Sequence, residues 1–485
     1  MPARQVRVQD GVPPEALDAY ARLVNELEIP VTFGRRAIGE AELLAANPPD
    51  FTATHRDRTD MALVTIDPGE AMDLDQAVFI EREGAGYLVH YAIADVGAWV
   101  RPGSSIDAEA HRRGQTWYAP HRRYPLHPPA LSEKAASLLA DGVPRPAMLW
   151  RMRLNDAGEL VGTSLERALV VNREKLSYRE AQDRIDSNRA SESLQLLREV
   201  GTLRQLIEAE RGGISLTLPD QEVSASDDQW RVEYRSNLPV EEWNAQISLL
   251  TGIAAARTML EGRLGVVRTL PPATPSSLAK LRRIARGLRI PWQRGADYAS
   301  FVRSLDVARP AHLAMMVNCT MLFRGAGYLA FDGEEPDGDV EHAALATPYA
   351  HTTAPLRRLV DRYVLEVCHS LLNDIDVPGW ARETLPRLPD EMAASDARAK
   401  KFERAVIDLT EALELAGRVG EEFWGTVVDV NDGRAVVHIN DPAVESIVTG
   451  ADDLLGRRVR VRLTESDPGT SLVRFEVVRG ESAGE

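Results

Sequence analysis

Two spacings of apolar residues alternate along this chain. The run Ala62-Leu63-Val64-Thr65-Ile66 predicts a strand. Pro68-Gly69 turns the chain. Ala77-Val78-Phe79-Ile80 predicts a second strand, and residues 87–94, after a turn at 84–86, predict a third. Helical spacing dominates elsewhere. Pro13-Pro14 opens a helix that sets Leu17, Tyr20, Val24 and Leu27 on one stripe. Residues 35–46 form a second helix, stopped by Asn47-Pro48-Pro49. A serine of Gly103-Ser104-Ser105 caps another, with Asp107 and Glu109 in its first turn. Residues 238–330 read as helices broken at Pro271-Pro272 and Arg294-Gly295, and residues 393–415 as one long charged helix. Five short runs, 423–430, 434–439, 446–449, 457–464 and 471–477, separated by Gly or Asp-Gly turns, have the strand count of an OB barrel.

Composition narrows the class. With 485 residues, 44% hydrophobic and 27% charged, the chain reads as an ordinary soluble protein of more than one domain. The best candidate for a membrane span, 247–256, is interrupted by Arg257, short of the roughly 18 residues needed. The first ten residues lack the apolar centre of a secretory leader. Cys319 and Cys368 are far apart, with no metal-binding spacing, so reduced thiols in the cytoplasm are expected. A net charge of −16 argues against a generic nucleic-acid binder, but leaves room for an enzyme with cations lining an internal channel. Arginine greatly outnumbers lysine. Arginine offers phosphate a planar fork, although base composition explains most of such an excess. Arg282, Arg283, Arg286 and Arg289 make a basic patch that reads as a solvated helix face.

The connection between the first two strands carries Asp67, Asp73 and Asp75. Carboxylates about 4 Å apart repel by about 4 kcal/mol at an effective dielectric of about 20. In an extended segment Asp73 and Asp75 point the same way. A hard divalent cation removes the repulsion, and Mg²⁺ takes oxygen ligands while keeping waters. A solvated acidic loop is the plainer alternative.

Thr65-Ile66-Asp67-Pro68, followed by Asp73-Leu74-Asp75-Gln76-Ala77, resembles the signature of the ribonuclease II (RNB) family of 3′→5′ exoribonucleases. That run carries four aspartates in the family; three match here, and Gln76, a carbonyl oxygen without charge, stands at the fourth. The stretch 349–362, with His351-Thr352-Thr353-Ala354-Pro355-Leu356-Arg357-Arg358, resembles the family's second motif, which opens a helix. Pro355 suits a first helical turn, and a helix N-terminus favours phosphate.

The resemblance implies roles for single residues. Asp67, Asp73, Asp75 and Gln76 would hold Mg²⁺, with Mn²⁺ able to substitute. Arg357 would bind the scissile phosphate, and Arg358 would either assist or pair with an acid. Tyr118 would set the depth of the RNA 3′ end, and Tyr178 would contact RNA close to it; a core position is the alternative for Tyr118. Glu403 matches a late acidic position near the active site, or is a solvated helix face. The family's further stacking aromatic has no match, since Leu216 occupies that region.

The fold expected is α+β and multidomain. Residues 1–56 make a small helical unit whose tight break permits a helix-turn-helix. Residues 57–416 make an RNB-type domain, a mixed sheet surrounded by helices. Residues 417–478 make an S1-type OB barrel, and 479–485 a disordered tail. The implied activity is metal-dependent, processive 3′→5′ hydrolysis of single-stranded RNA to nucleoside 5′-monophosphates by a cytoplasmic monomer with no membrane partner. The rival reading, raised by Gln76, is a catalytically impaired RNA-binding or regulatory protein.

Overall fold

The computed structural model describes residues 14–482 except 120–121, 215–219, 227–228, 294, 335, 337–338 and 432; for 14–16, 220–233 and 479–482 it describes the backbone alone. A seven-stranded sheet forms the centre. Its order is Arg56–Asp57, Leu160–Val170, Arg145–Leu154, Gly86–Ala94, Gln76–Glu83, Val64–Asp67, Glu174–Ser177. The four inner pairings are antiparallel and the two outermost are parallel. The strand Gly86–Ala94 is buried along its whole length, because both faces of the sheet are covered. The period of two sorts its side chains. Val89, Tyr91 and Ile93 enter one core with Trp150 and Leu250, while Ala92 and Ala94 enter the other with Leu74 and Leu149.

Both N-terminal helices form, as Pro14–Glu26 and Arg35–Ala46. They pack into two different parts of the main body. Tyr20 and Val24 join Trp117, Tyr124 and Phe402, and the Tyr20 hydroxyl lies 2.6 Å from Thr410 Oγ1. Ala37 and Ala41 join the second core of the sheet, and Gly34 N donates to Glu109 Oε1 at 2.9 Å. Leu17, expected on the buried stripe, is exposed. Ser104 accepts from Asp107 N and caps the helix Ser105–Arg113 as expected.

The stretch 238–330 departs from its all-helical reading. Leu264–Thr269 and Gly327–Asp332 pair as antiparallel strands beneath the helix Pro239–Glu261. Each run is short, and only its distant partner satisfies its backbone. The strands Arg145–Leu154 and Leu160–Val170 likewise supply sheet pairings that local spacing had not marked.

The C-terminal barrel closes in the order Glu422–Asn431, Arg434–Asn440, Ala443–Thr449, Leu472–Ser482, Arg458–Asp467. The last strand reaches Ser482, opposite Val459, so pairing extends into the segment expected to be a tail; residues 483–485 lie outside the described residues. Asn318 Nδ2 donates to the Val428 carbonyl at 2.8 Å and Glu445 N to Glu411 Oε1 at 3.1 Å, which ties the barrel to the helices Pro310–Cys319 and Leu388–Glu414.

Candidate active site

The acidic connection is held from outside. Lys175 Nζ donates to the carbonyls of Gly69 and Ala71, both at 2.6 Å. The Ser137 hydroxyl donates to the Met72 carbonyl at 2.6 Å and accepts from Leu74 N at 2.9 Å. Leu138 N donates to the Leu74 carbonyl and Ala94 N to the Asp75 carbonyl. Asp67 ends a strand in register with Ser177, and Gln76 begins one in register with Ile93. The loop's geometry is therefore set by neighbours before any ligand arrives.

Asp75 is buried and doubly bonded. Its Oδ1 accepts from Leu356 N at 2.8 Å and its Oδ2 from Arg357 Nε at 2.6 Å. Asp73 Oδ1 accepts from Arg123 Nη1 at 2.7 Å. Asp67 Oδ2 is buried with no hydrogen-bond partner among the described residues. Burial raises the Asp75 carboxyl to about 7 against the pull of Arg357, with Asp73 adding to the rise. Burial likewise raises Asp67 to about 6, with Arg357 and Lys175 opposing and Asp73 adding. The three carboxyls thus share one electrostatic neighbourhood with Arg357. The side chain of Arg357 is 38% exposed while that of Asp75 is sealed, so the guanidinium offers an open side.

Tyr118 belongs to this neighbourhood. It is half-buried, and its hydroxyl is pushed up to about 12 by burial and by Asp73 and Asp75, with Arg357 and its hydrogen bond opposing. Tyr118 stands opposite Arg123 in the hairpin Trp117–Ala119 and Arg122–Tyr124. One cross-strand pair thus delivers an aromatic ring and a cation to the same carboxylates.

One expectation is revised, and two residues gain a described partner. The second motif does not open a helix at Pro355. Residues 355–357 form a turn, Arg358 bridges to Gln115, and the helix starts at Leu359. The cause is tertiary: Thr116 N donates to the Arg357 carbonyl and Leu359 N to the Gly114 carbonyl, which holds this backbone extended. Arg357 therefore presents its side chain from a turn. Arg358 pairs with an acid, its Nε and Nη2 donating to both oxygens of Asp361 at 2.9 and 2.8 Å. Gln76 Nε2 donates to the Thr353 carbonyl, so the amide at the fourth position ties the two motifs together. An aspartate could not donate that bond.

The outer candidates lie on neighbouring elements. Tyr178 is half-buried at the first position of the helix Tyr178–Asp186, next to the Ser177 cap whose strand pairs with Asp67. Glu403 is half-buried on the helix Leu388–Glu414, beside Phe402, which packs on Trp117 and Tyr124. Leu216 lies outside the described residues. Sequence reading missed Arg123, Lys175, Ser137 and His127. Buried His127 donates Nε2–H to the Pro355 carbonyl at 3.3 Å; burial holds the ring neutral by taking its pKa down to about 3. Only the alternation of the 117–124 hairpin could have exposed Arg123.

Among the described residues no three Asp, Glu, His or Cys side chains converge to hold a metal ion. The donors nevertheless fit a hard cation in kind. They are carboxylate oxygens, one is buried with no hydrogen-bond partner among the described residues, and two have raised pKa values that a cation would lower.

With this geometry in place, the comparisons are specific. Residues 55–374 match the RNB domain, and residues 421–478 match the RNase II-type exonuclease C-terminal S1 domain. The chain belongs to the RNB family. Ribonuclease R of Aquifex aeolicus is 25% identical over 519 residues, covering 96% of this chain and 71% of the relative. Ribonuclease R of Escherichia coli is 25% identical over 487 residues, covering 90% of this chain and 59% of the relative. Mycoplasma genitalium RNase R, solved with ribose-methylated single-stranded RNA, superposes with a TM-score of 0.86 at 17% identity, covering 96% of this chain and 78% of that one. No helix among the described residues is long and apolar enough to cross a membrane.

Proposed function

We propose that the chain is a metal-dependent, processive 3′→5′ exoribonuclease that hydrolyses single-stranded RNA to nucleoside 5′-monophosphates. The observation that carries this reading is the contact of Arg357 with Asp75, which joins the two motifs beside Tyr118. Asp67, Asp73 and Asp75 would hold Mg²⁺ or Mn²⁺, which when bound supplies an activated water and charge stabilisation at the phosphate. The open side of Arg357 receives the scissile phosphate and neutralises charge that develops there. Leu356 N and Arg357 Nε keep Asp75 in one orientation. Arg123 does the same for Asp73 and lessens its repulsion of Asp75. Tyr118 stacks at the terminal nucleotide, and Tyr178 contacts the strand beside it; base stacking on a ring is indifferent to sequence. Buried, unpaired Cys319 and Cys368 agree with a reducing cytoplasm, and the protein is taken to act as a monomer.

The test uses 5′-labelled and 3′-labelled RNA, with Mg²⁺ and with chelator. A ladder shortening from the 3′ end, with mononucleotide release only when metal is present, is the expected result. Binding without release would favour the impaired-enzyme reading that Gln76 raises, and internal cuts would refute exonucleolysis.

A further inference from the structure

The helix Ser105–Arg113 ends beside the turn that carries the second motif. Directly after it Gly114 holds φ at +73°, and a Cβ there would collide with the Cβ of Ser395. Only glycine lets the backbone take this turn so close to the helix Leu388–Glu414. The Gly114 carbonyl accepts from Leu359 N at 3.0 Å, and Thr116 N donates to the Arg357 carbonyl at 2.9 Å. Tyr118 stands two residues beyond Thr116, and the helix Leu359–Leu372 starts two residues beyond Arg357. The placement of Arg357 against Tyr118 therefore depends on how these three helices meet.

His111, in the last turn of the first helix, joins all three. Its Nδ1 lies 2.5 Å from Glu391 Oε2 on the helix Leu388–Glu414, and its Nε2 lies 2.8 Å from the Tyr363 hydroxyl on the helix Leu359–Leu372. An ionised carboxylate only accepts, so Nδ1 donates to Glu391. In a neutral ring Nε2 accepts from the Tyr363 O–H; in a charged ring it donates to the same oxygen. The bridge therefore holds in both states. Asp107 Oδ1 lies 3.9 Å from Nε2 and accepts from Arg362 Nη1 at 2.5 Å. Glu391 and Ser395 are four positions apart on one face of their helix. The Ser395 hydroxyl donates to the Arg113 carbonyl at 2.9 Å, so this face grips the helix end twice. Among the described residues no hydrogen bond or ion pair joins His111 to Asp67, Asp73, Asp75 or Arg357.

We infer that His111 is a positioning residue for the proposed reaction: its bridge from Glu391 to Tyr363 fixes where Arg357 and Tyr118 stand relative to the carboxylates. The effect on cleavage rests on the proposed ribonuclease reading; the effect on the backbone at Thr116 and Leu359 does not. Without the bridge the helix end shifts against the other two helices. The bonds from Leue359 N and Thr116 N carry that shift to Arg357 and Tyr118. A misplacement of about 1 Å at reacting groups costs about 100-fold in rate. The side chains that face RNA are all retained, so affinity is spared.

The test compares the full chain with His111→Leu, His111→Gln and Tyr363→Phe. Leucine fills the space and bridges nothing, whereas glutamine keeps one donor and one acceptor. Tyr363→Phe removes only the hydroxyl, and it carries the test if His111→Leu does not fold. Amide hydrogen exchange is measured in chelator. The Leu and Phe variants should exchange the Thr116 and Leu359 amides about tenfold faster, with barrel amides unchanged and the Gln variant close to wild type. With Mg²⁺, single-turnover cleavage by the Leu and Phe variants should fall about 10–100-fold at unchanged RNA affinity, and their limit product should lengthen. A purely structural loss would speed exchange throughout the chain, and a smaller folded fraction cannot lengthen a product. Unchanged exchange at the two amides, acceleration everywhere, no rescue by Gln, or faster exchange with wild-type cleavage would each overturn the inference. An absence of wild-type cleavage counts against the ribonuclease reading, whereas the exchange measurement judges the bridge by itself.

Discussion

Arg357 donates its Nε to Oδ2 of Asp75 at 2.6 Å, across 282 positions of sequence. The same carboxylate accepts the backbone N–H of Leu356. One aspartate thus sets both the backbone and the side chain of the second motif. The proposed phosphate-binding group and the acidic loop are consequently one mechanical unit.

Gln76 contributes to the same junction through the Thr353 carbonyl. Gln76→Asp would restore the fourth family carboxylate but remove that donor and add a charge beside three others. Without metal the variant should lose about 1–3 kcal/mol of stability, the cost of an unsatisfied buried polar group. With Mg²⁺ it should recover more than the wild type does. Thermal unfolding with and without Mg²⁺ checks this; a Gln76→Asp variant as stable as wild type in chelator contradicts it.

The raised carboxyls give a pH dependence of definite sign. Asp67 and Asp75 hold protons to about 6 and 7 in the folded chain, against an ordinary value of 3.8. Between 3.8 and about 7 the folded state binds more protons than the unfolded one, so these groups make stability fall as pH rises through that window. A cation competes with the protons and reverses the loss. The rise in Tm produced by Mg²⁺ should therefore be small at about pH 5 and larger at about pH 8. Equal rises at both would exclude these carboxyls as its ligands.

The N-terminal helix packs against the hairpin that carries Tyr118. Tyr20 and Val24 pack with Trp117 and Tyr124, the residues flanking the Tyr118 hairpin. Tyr118→Ala should lengthen the final limit product and leave the chemical step largely intact. Val24→Ala, a truncation at the base of that hairpin, should cost about 1–3 kcal/mol and lengthen the product less. Product ladders on gels decide both; an unchanged ladder with Tyr118→Ala returns that residue to a packing role.

Much of this was legible because local rules and tertiary structure agree. The run before Asp67, the Ser104 cap, the helix over 35–46 and the five barrel strands each follow from residue type and spacing. The misses share one cause. The strands 264–269 and 327–332 are stabilised by each other across a long separation, so neither announces itself. The helix expected at Pro355 is delayed to Leu359 by a bridge to Gln115. Arg123 and Lys175 are single basic residues whose importance lies only in what the fold sets beside them. The acidic motif and Arg357 could be read from sequence, but Arg123, which pairs with Asp73, could not.

The central claim is that Asp75 is catalytic. Asp75→Asn keeps shape and volume, and its side-chain oxygen can still accept from Leu356 N. Arg357, 38% exposed, can be solvated when its ion pair is lost, so the fold should survive. The deciding measurement is single-turnover cleavage together with RNA affinity for wild type and Asp75→Asn in saturating Mg²⁺. Cleavage should fall at least about 10²–10³-fold, the range for losing one electrostatic stabiliser, while affinity holds or rises because a negative charge facing phosphate is gone. Cleavage by the variant at the wild-type rate would contradict the account.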